Sequence, residues 1–159
     1  VIESRPFQIT SLREDWETNG RHARVIYGTS WEADALRRDF TINALYAERE
    51  GTVLDYFGGL EDLQSGAIRF VGEARQRIQE DYLRILRYFR FLAWYGHGPV
   101  NGEALEACTA LSHGLKGLSR ERIGHEFLKL LAAPLPLPSL VLMQKAGVFP
   151  FILPHSPNL

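Results

Sequence analysis

Arg84, Arg87 and Arg90 recur at three-residue spacing in the stretch Arg77-Ile78-Gln79-Glu80-Asp81-Tyr82-Leu83-Arg84-Ile85-Leu86-Arg87-Tyr88-Phe89-Arg90-Phe91-Leu92. On a helix each such step advances about 4.5 Å and turns about −60°, so the three guanidinium groups trace an arc spaced comparably to successive phosphates. Arginine suits that task because its planar fork holds phosphate oxygens or base edges at two points. A solvated helix would use the same charges in i,i+3 and i,i+4 ion pairs worth only about 0.3–0.5 kcal/mol each. Here Tyr82, Leu86, Phe89 and Ala93 form one apolar stripe, and Leu83, Ile85, Phe91 and Leu92 spread apolar character around most of the rest. The helix is therefore expected to be largely buried, and arginines inside it need anionic or polar partners. Glu80 lies four residues before Arg84 and Asp81 three, so either carboxylate is placed to fix the Arg84 fork.

Two further clusters carry chemistry. Arg37-Arg38-Asp39-Phe40-Thr41-Ile42-Asn43-Ala44 leaves an expected short helix and enters an expected strand. Two cations, an acid and an amide at such a junction suit a ribose hydroxyl and a phosphate together, although charged residues at helix ends are commonplace. In Asp55-Tyr56-Phe57-Gly58-Gly59-Leu60-Glu61-Asp62 the glycine pair reads first as a tight turn. The sequence has no GxSxG elbow, no HExxH and no Walker P-loop. His22, His97, His113, His125 and His155 are scattered without ligand spacing, and Cys108 sits among small residues and reads as packing.

The elements that must position these clusters fall into two kinds. Residues 7–13 and 23–28 alternate as strands, with a charged loop at 14–22 turning at Asn19-Gly20. A short helix is expected over 31–38, capped by Thr29 or Ser30, with Glu32 and Asp34 in its first turn. Residues 40–47 and 52–56 suggest a hairpin, 60–64 a short helix and 68–71 a strand. Residues 74–95 contain no Gly or Pro and stop at Gly96-His97-Gly98-Pro99, which predicts one long helix. Helices over 102–112, 119–132 and 139–146 follow, each bounded by Gly, Ser or Pro. The pattern is α+β, with the change from strands to helices near residue 72.

Composition sets the outer bounds. The 159 residues hold 18 Lys+Arg against 19 Asp+Glu, so the net charge of −1 gives no global argument for nucleic-acid binding. The average conceals a local set: six arginines between Arg69 and Arg90 against three acids. Of the 18 basic residues 15 are Arg, a bias that a GC-rich genome produces equally well, so position has to decide. A hydrophobic content of 45% and a charged content of 23% rule out a mainly disordered chain. One cysteine excludes a disulfide framework and a Cys-based zinc site. The longest apolar stretch is broken by Pro134, Pro136 and Pro138, so no transmembrane helix is expected, and no signal peptide is read at the start.

The order of the clusters resembles the class II tRNA nucleotidyltransferases, the family of CCA-adding enzymes and bacterial poly(A) polymerases within the DNA polymerase β-like nucleotidyltransferases. The resemblance covers about residues 5–150. It rests on Arg-Arg-Asp-Phe-Thr-Ile-Asn-Ala from Arg37, on Asp-x-x-Gly-Gly-x-x-Asp-Leu from Asp55, and on the run from Arg69 through Glu80-Asp81-x-Leu83-Arg84 to Arg90-Phe91. Asn19-Gly20-Arg21-His22-Ala23 is similar to the family's flexible loop, and Ser119-Arg120-Glu121-Arg122-Ile123 to its neck motif.

The resemblance implies that residues 1–72 are the latter part of a catalytic head and residues 73–159 a helical neck. The implied reaction is template-independent addition of CTP and ATP to the 3′ end of tRNA. Asp81 and Arg84 would read the Watson–Crick edge of the base, with Glu80 supporting Arg84. Arg87 and Arg90 would bind the triphosphate or brace the pocket. Arg38, Asp39 and Asn43, with Arg37 nearby, would recognise ribose and phosphates. Asp55, Gly58, Gly59 and Asp62 would form a hinge between head and neck. The expected partners are tRNA, ATP and CTP, without a membrane, in a bacterial cytoplasm or a mitochondrial matrix.

That family uses an Asp-x-Asp pair after a Gly-rich segment to bind two Mg²⁺ ions, and the sequence contains no Asp-x-Asp. The expectation is therefore a fragment whose metal ligands lie outside this chain, with no catalytic or metal residue assignable within it. Gln8 stands where relatives often carry an acid, and Asn19 and Ser30 where Asp is frequent. Two other readings stay open: a poly(A) polymerase or CC- or A-only adding enzyme of the same family, and a non-catalytic nucleotide- or tRNA-binding module. Tyr82 stands after the Glu-Asp pair, where poly(A) polymerases tend to have Pro, which leans toward CCA addition.

Overall fold

A computed structural model describes residues 9–19, 22–27 and 30–153; Gln8, the Gly20-Arg21 tip of the expected loop and His155 lie outside the described residues. Strands β1 (Arg13–Asn19) and β2 (His22–Tyr27) pair antiparallel, from Arg13 opposite Tyr27 to Asn19 opposite His22, with a bulge between Asp15 and Glu17. Residues 14–19 are thus strand where a loop was expected, and residues 9–12 are not strand. The backbone pairing, rather than apolar alternation, sets the extent of this strand, because Arg-Glu-Asp-Trp-Glu-Thr-Asn alternates in neither sense.

Helix α1 (Trp31–Leu36) starts behind Ser30, whose hydroxyl accepts from the Ala33 N–H at 3.2 Å. Strands β3 (Leu45–Ala47) and β4 (Val53–Asp55) form the expected hairpin, but it is shorter than the sequence suggests. Phe40 makes only an isolated bridge to Phe70, and Thr41–Asn43 is a 3-10 turn. Side chains compete for this backbone: the Asp39 carboxylate accepts from the Phe40 N–H at 3.0 Å and from Asn43 Nδ2 at 2.9 Å. Helix α2 (Gly59–Ser65) then presses Gly59 onto Thr41, where an added Cβ would sit 2.3 Å from the Thr41 carbonyl oxygen. The same bridge accounts for the expected strand over 68–71, which is reduced to that one pairing.

The long helix expected over 74–95 is two: α3 (Ala74–Glu80) and α4 (Leu83–Tyr95). Asp81 is extended (φ −151°, ψ 108°), and its Oδ1 accepts from the Leu83 N–H at 3.0 Å. Aspartate favours such local bonds over helix continuation, so no Gly or Pro is needed for the break. The Tyr82 ring packs against Gly114, where a Cβ would lie 2.0 Å from it. Asp81 and Arg84 are consequently not one turn apart on a single helix, whereas Arg84, Arg87 and Arg90 keep their arc within α4.

Helices α5 (Gly102–Ala110), α6 (Arg120–Leu131, capped by Ser119) and α7 (Pro136–Lys145) follow. The 3-10 turn Ser112–Gly117 lies between α5 and α6, and a short α8 (Phe149–Ile152), not anticipated, closes the described chain. Helix α7 starts three residues earlier than expected because proline is tolerated in a first helical turn. Helix α4 is central, packing against both α6 and α7. Its Ile85, Leu86, Tyr88, Phe89 and Phe91 are buried in a core that also takes in Phe40 and Phe70. The Phe40 ring lies 4.9 Å from that of Phe70 and 4.7 Å from that of Phe91, so the segment after Asp39 is anchored in the same core as the arginine helix.

Candidate nucleotide site

Each arginine of the arc meets a carboxylate. Arg84 Nη1 donates to Glu80 Oε2 at 2.6 Å and to the Arg77 carbonyl at 2.7 Å. Arg87 Nε donates to Asp39 Oδ2 at 2.5 Å. Arg90 Nε forms an ion pair with Glu126 Oε2 at 3.0 Å. Glu80, not Asp81, is therefore the acid that fixes the Arg84 fork. Asp81 turns the other way: its Oδ2 accepts from Arg122 Nη2 at 2.7 Å. That pair borders a cleft of about 720 Å³ between the α3–α4 junction and the start of α6, lined by Gln79, Glu80, Asp81, Tyr82, Ser119 and Arg122 among others.

The Arg37-Arg38-Asp39 segment is bound to the arginine helix. Arg77 Nη2 donates to the Arg37 carbonyl at 2.6 Å and the Arg38 carbonyl at 2.8 Å, and Arg77 also pairs with Glu80. Asp39, only 6% exposed, gathers Arg87, Asn43 and its own neighbour's N–H. Burial would raise its pKa, but the Arg87 charge and these hydrogen bonds hold it below the usual carboxylate range. Its oxygens are thus engaged in positioning Asn43 and Arg87.

A second buried acid was not singled out by sequence reasoning. Asp34, 1% exposed, accepts from Arg38 Nη2 at 2.9 Å, Arg37 Nε at 2.8 Å, the Tyr46 hydroxyl at 2.7 Å and the Arg13 N–H at 3.0 Å. Against the desolvation that would raise it, these donors, Tyr46 and Arg38 foremost, pull its pKa well below the ordinary value. Burial and the bond to Asp34 push Tyr46 up to about 12. A first-turn acid three and four residues before two arginines was the signal available for Asp34.

Glu126, 4% exposed, is the other missed acid; Arg87 Nη1 at 3.9 Å and Lys129 Nζ at 3.6 Å share it with Arg90. It occupies the same stripe of α6 as the buried Ile123 and Leu130, and an acid in an apolar stripe was the legible sign. Arg77 and Arg122 were likewise not assigned roles.

Around α2, Asp55 accepts from the N–H groups of Phe57, Gly59 and Leu60 at 2.8–3.2 Å. Asp62 accepts from the Thr41 hydroxyl at 2.5 Å and from Arg69 Nε at 3.0 Å. Gly58 adopts φ +75°, where glycine is favoured.

Among the described residues no three His, Cys, Asp or Glu side chains come together as a metal site. The carboxylates nearest the arc are each taken up by arginines. The carboxylates among the described residues do not fit a pair of magnesium ions.

Comparison with known proteins decides the family. A model described as the poly A polymerase head domain matches residues 1–69, and one described as a probable RNA- and SrmB-binding site of polymerase A matches residues 100–159. The chain belongs to the poly(A) polymerase and tRNA nucleotidyltransferase family. It is 48% identical over 164 residues to the human protein named CCA tRNA nucleotidyltransferase 1, mitochondrial, covering 99% of this chain and 37% of that protein. The crystal structure of the Bacillus stearothermophilus CCA-adding enzyme in complex with CTP matches with a TM-score of 0.81 at 34% identity, covering 90% of this chain and 34% of that one. The Thermotoga maritima CCA-adding enzyme complexed with tRNA-CCA matches with a TM-score of 0.71 at 27% identity, covering 81% of this chain and 32% of that one. The chain thus spans little more than a third of the length of its curated relatives. The α+β architecture, small antiparallel sheets followed by helices, is that of the corresponding part of these enzymes. Among the described residues no helix is long and apolar enough to cross a membrane.

Proposed function

We propose that this chain selects and holds the incoming nucleotide in a protein that adds C and A to the 3′ end of tRNA without a nucleic-acid template. The observation that carries the reading is Arg84, held in place by Glu80 and by the Arg77 carbonyl, three positions after Asp81, whose carboxylate lines the cleft. Cytosine and adenine both present an amino group where guanine and thymine present an oxygen. A carboxylate acceptor beside a guanidinium donor therefore accepts C and A and rejects the other bases. Asp81 already accepts from Leu83 and Arg122, but its two oxygens offer about four acceptor sites, which leaves room for a base amino group. Arg84 commits Nη1 to Glu80 and the Arg77 carbonyl and Nη2 to the Arg37 carbonyl at 3.5 Å, which leaves Nε–H and one Nη2 hydrogen for the base.

In this reading residues 1–72 are the latter part of a head and 73–159 a neck. The family matches at 1–69 and 100–159 support the division. Arg38 and Asn43 meet the ribose and phosphates, with Arg37 beside them. Asp39 acts through Asn43 and Arg87, and Arg87 and Arg90 supply positive charge to the triphosphate. Asp55, Gly58, Gly59 and Asp62 are the pivot between the two parts. Magnesium ions, which this chemistry uses, would be held by carboxylates other than those described. The CTP and tRNA complexes of the two structural relatives support nucleotide and tRNA as ligands, and the mitochondrial name of the human relative is consistent with a mitochondrial or bacterial setting.

The test is base selection by the full-length protein carrying Arg84→Ala. Loss of one charged hydrogen bond to the base lowers discrimination of CTP and ATP over UTP and GTP by about 1–3 kcal/mol. Unchanged selectivity sinks the assignment. Products made from a tRNA lacking its last three bases separate CCA addition from a poly(A) tail.

A further inference from the structure

On the face of α4 that meets α6, beyond the Arg90–Glu126 pair, a surface cleft of about 280 Å³ is lined by Arg90, Phe91, Trp94, Tyr95, Lys129 and Ala132. Its aromatic wall is built rather than incidental. Trp94 Nε1 donates to the Lys129 carbonyl at 2.9 Å, which fixes the indole plane even though 43% of the residue is exposed. Tyr95 is 50% exposed; its ring centroid lies 6.5 Å from that of Trp94 and 5.5 Å from that of Phe91. The Arg90 guanidinium sits 4.9 Å from the Phe91 ring centroid, closing the inner end.

The cleft also carries unbalanced charge. Arg87, Arg90 and Lys129 share Glu126, and Asp39 takes Arg87, so three cations face two acids. Lys129, which lines the cleft, is the most exposed of the three cations. Flat exposed aromatics beside a cation form the arrangement on which single-stranded nucleic acids stack, since every base has a π-face and every linkage a phosphate. One cation in excess suits the single phosphate of a strand better than a triphosphate.

We propose that this cleft binds single-stranded RNA, stacking a base on Trp94, with Tyr95, tilted 40° to the indole, flanking it and Lys129 meeting the adjoining phosphate. Asp81 and Arg84 do not line this cleft, and of the residues assigned above to the nucleotide it shares only Arg90. The inference deepens the reading of the chain as tRNA-processing but requires only that the ligand be RNA.

The experiment measures binding of a fluorescein-labelled single-stranded oligocytidylate by anisotropy, and of CTP by calorimetry, in the full-length protein and in Trp94→Ala, Trp94→Phe and Lys129→Glu. Trp94→Ala is expected to weaken RNA binding about five- to hundredfold, the span of one lost base–aromatic stack. Trp94→Phe is expected to retain most of the affinity. Lys129→Glu, which also removes a partner of the buried Glu126 and is therefore paired with a check of its thermal midpoint and with Lys129→Gln, is expected to weaken RNA binding and lower its salt slope by about one. CTP affinity stays unchanged in all of these variants. Wild-type RNA affinity in both Trp94→Ala and Lys129→Glu overturns the proposal, as does a parallel loss of CTP binding or no measurable RNA binding by the unmodified protein. If instead RNA binding responds as expected while the unmodified protein fails to bind CTP, the nucleotide reading fails and this one stands.

Discussion

Arg87 and Asp39, separated by 48 positions in the chain, meet through an Nε-to-Oδ2 hydrogen bond of 2.5 Å. The bond joins the central helix of the helical part to the turn between α1 and β3, and Phe40, the next residue, enters the aromatic core beside Phe91. One residue thus supplies a polar tie and its neighbour an apolar one. The pair is mostly buried, so removing one partner strands the other charge. Arg87→Met and Asp39→Asn are each expected to destabilise by about 1.5–3 kcal/mol. The double variant is expected to cost less than the sum, with a coupling of about 1–3 kcal/mol by denaturant unfolding. Additive losses would show that the two side chains do not depend on one another.

Arg122 offers a separate test of Asp81. Their 2.7 Å pair is half-exposed, so its loss changes stability by no more than about 1 kcal/mol. It nevertheless orients the carboxylate that faces the cleft. Arg122→Ala is expected to raise the KM for CTP and ATP and reduce selection against UTP, with kcat for CTP affected less. Arg122→Lys, which keeps the charge but not the fork, is expected to restore part of the loss. A variant with wild-type KM and selectivity would leave Arg122 a surface ion pair.

Glycines separate packing from conformational entropy. Gly59→Ala puts a Cβ 2.3 Å from the Thr41 carbonyl oxygen and 3.1 Å from Leu45 Cδ2, so α2 must move away from the turn that holds Asn43. A loss of about 1–3 kcal/mol is expected. Gly124 lies inside α6 with nothing within 4 Å of the position a Cβ would take. Gly124→Ala is expected to stabilise by about 0.4–1 kcal/mol. A thermal midpoint that does not fall in Gly59→Ala would contradict the packing described there, and one that does not rise in Gly124→Ala would contradict the open space at α6.

The arginine arc was legible because its residues are local: three-residue spacing survives wherever a helix exists, and α4 exists. The partners were less legible because they come from afar. Nothing in the spacing places Asp39 beside Arg87 or Glu126 beside Arg90, and the run from Arg77 to Leu92 reads as unbroken helix unless Asp81 is recognised as a local backbone acceptor. Of the two carboxylates the spacing allowed on Arg84, Glu80 reaches it because i,i+4 geometry needs only the last turn of α3 to lead into α4. The strand limits near Asp39 failed for the converse reason, since the Asp39 side chain claims the Phe40 N–H, a backbone donor that a ladder would otherwise use.

The buried acids make stability depend on pH in a definite direction. Asp34 and Asp39 both have folded pKa values below the ordinary one. Between the folded value and the unfolded value near 3.9, the unfolded chain binds more protons, so stability rises with pH there. Their contribution is complete above about pH 5 and declines as pH falls below about 4. Tyr46 works in the opposite sense. Its pKa is pushed up to about 12, so its contribution is complete below the unfolded value near 10 and is lost as pH rises toward 12. Urea midpoints are therefore expected to be flat between about pH 5 and 9 and to fall on both sides. Asp34→Asn is expected to flatten the acid limb, at a loss of about 1–3 kcal/mol at neutral pH, because an amide cannot hold two arginines and a phenol together. Tyr46→Phe is expected to flatten the alkaline limb only in part, because burial also holds the Tyr88 hydroxyl and the Cys108 thiol above their ordinary values. An acid limb of unchanged slope in Asp34→Asn would mean that other carboxylates, not the Asp34 cluster, set the acid sensitivity of this fold.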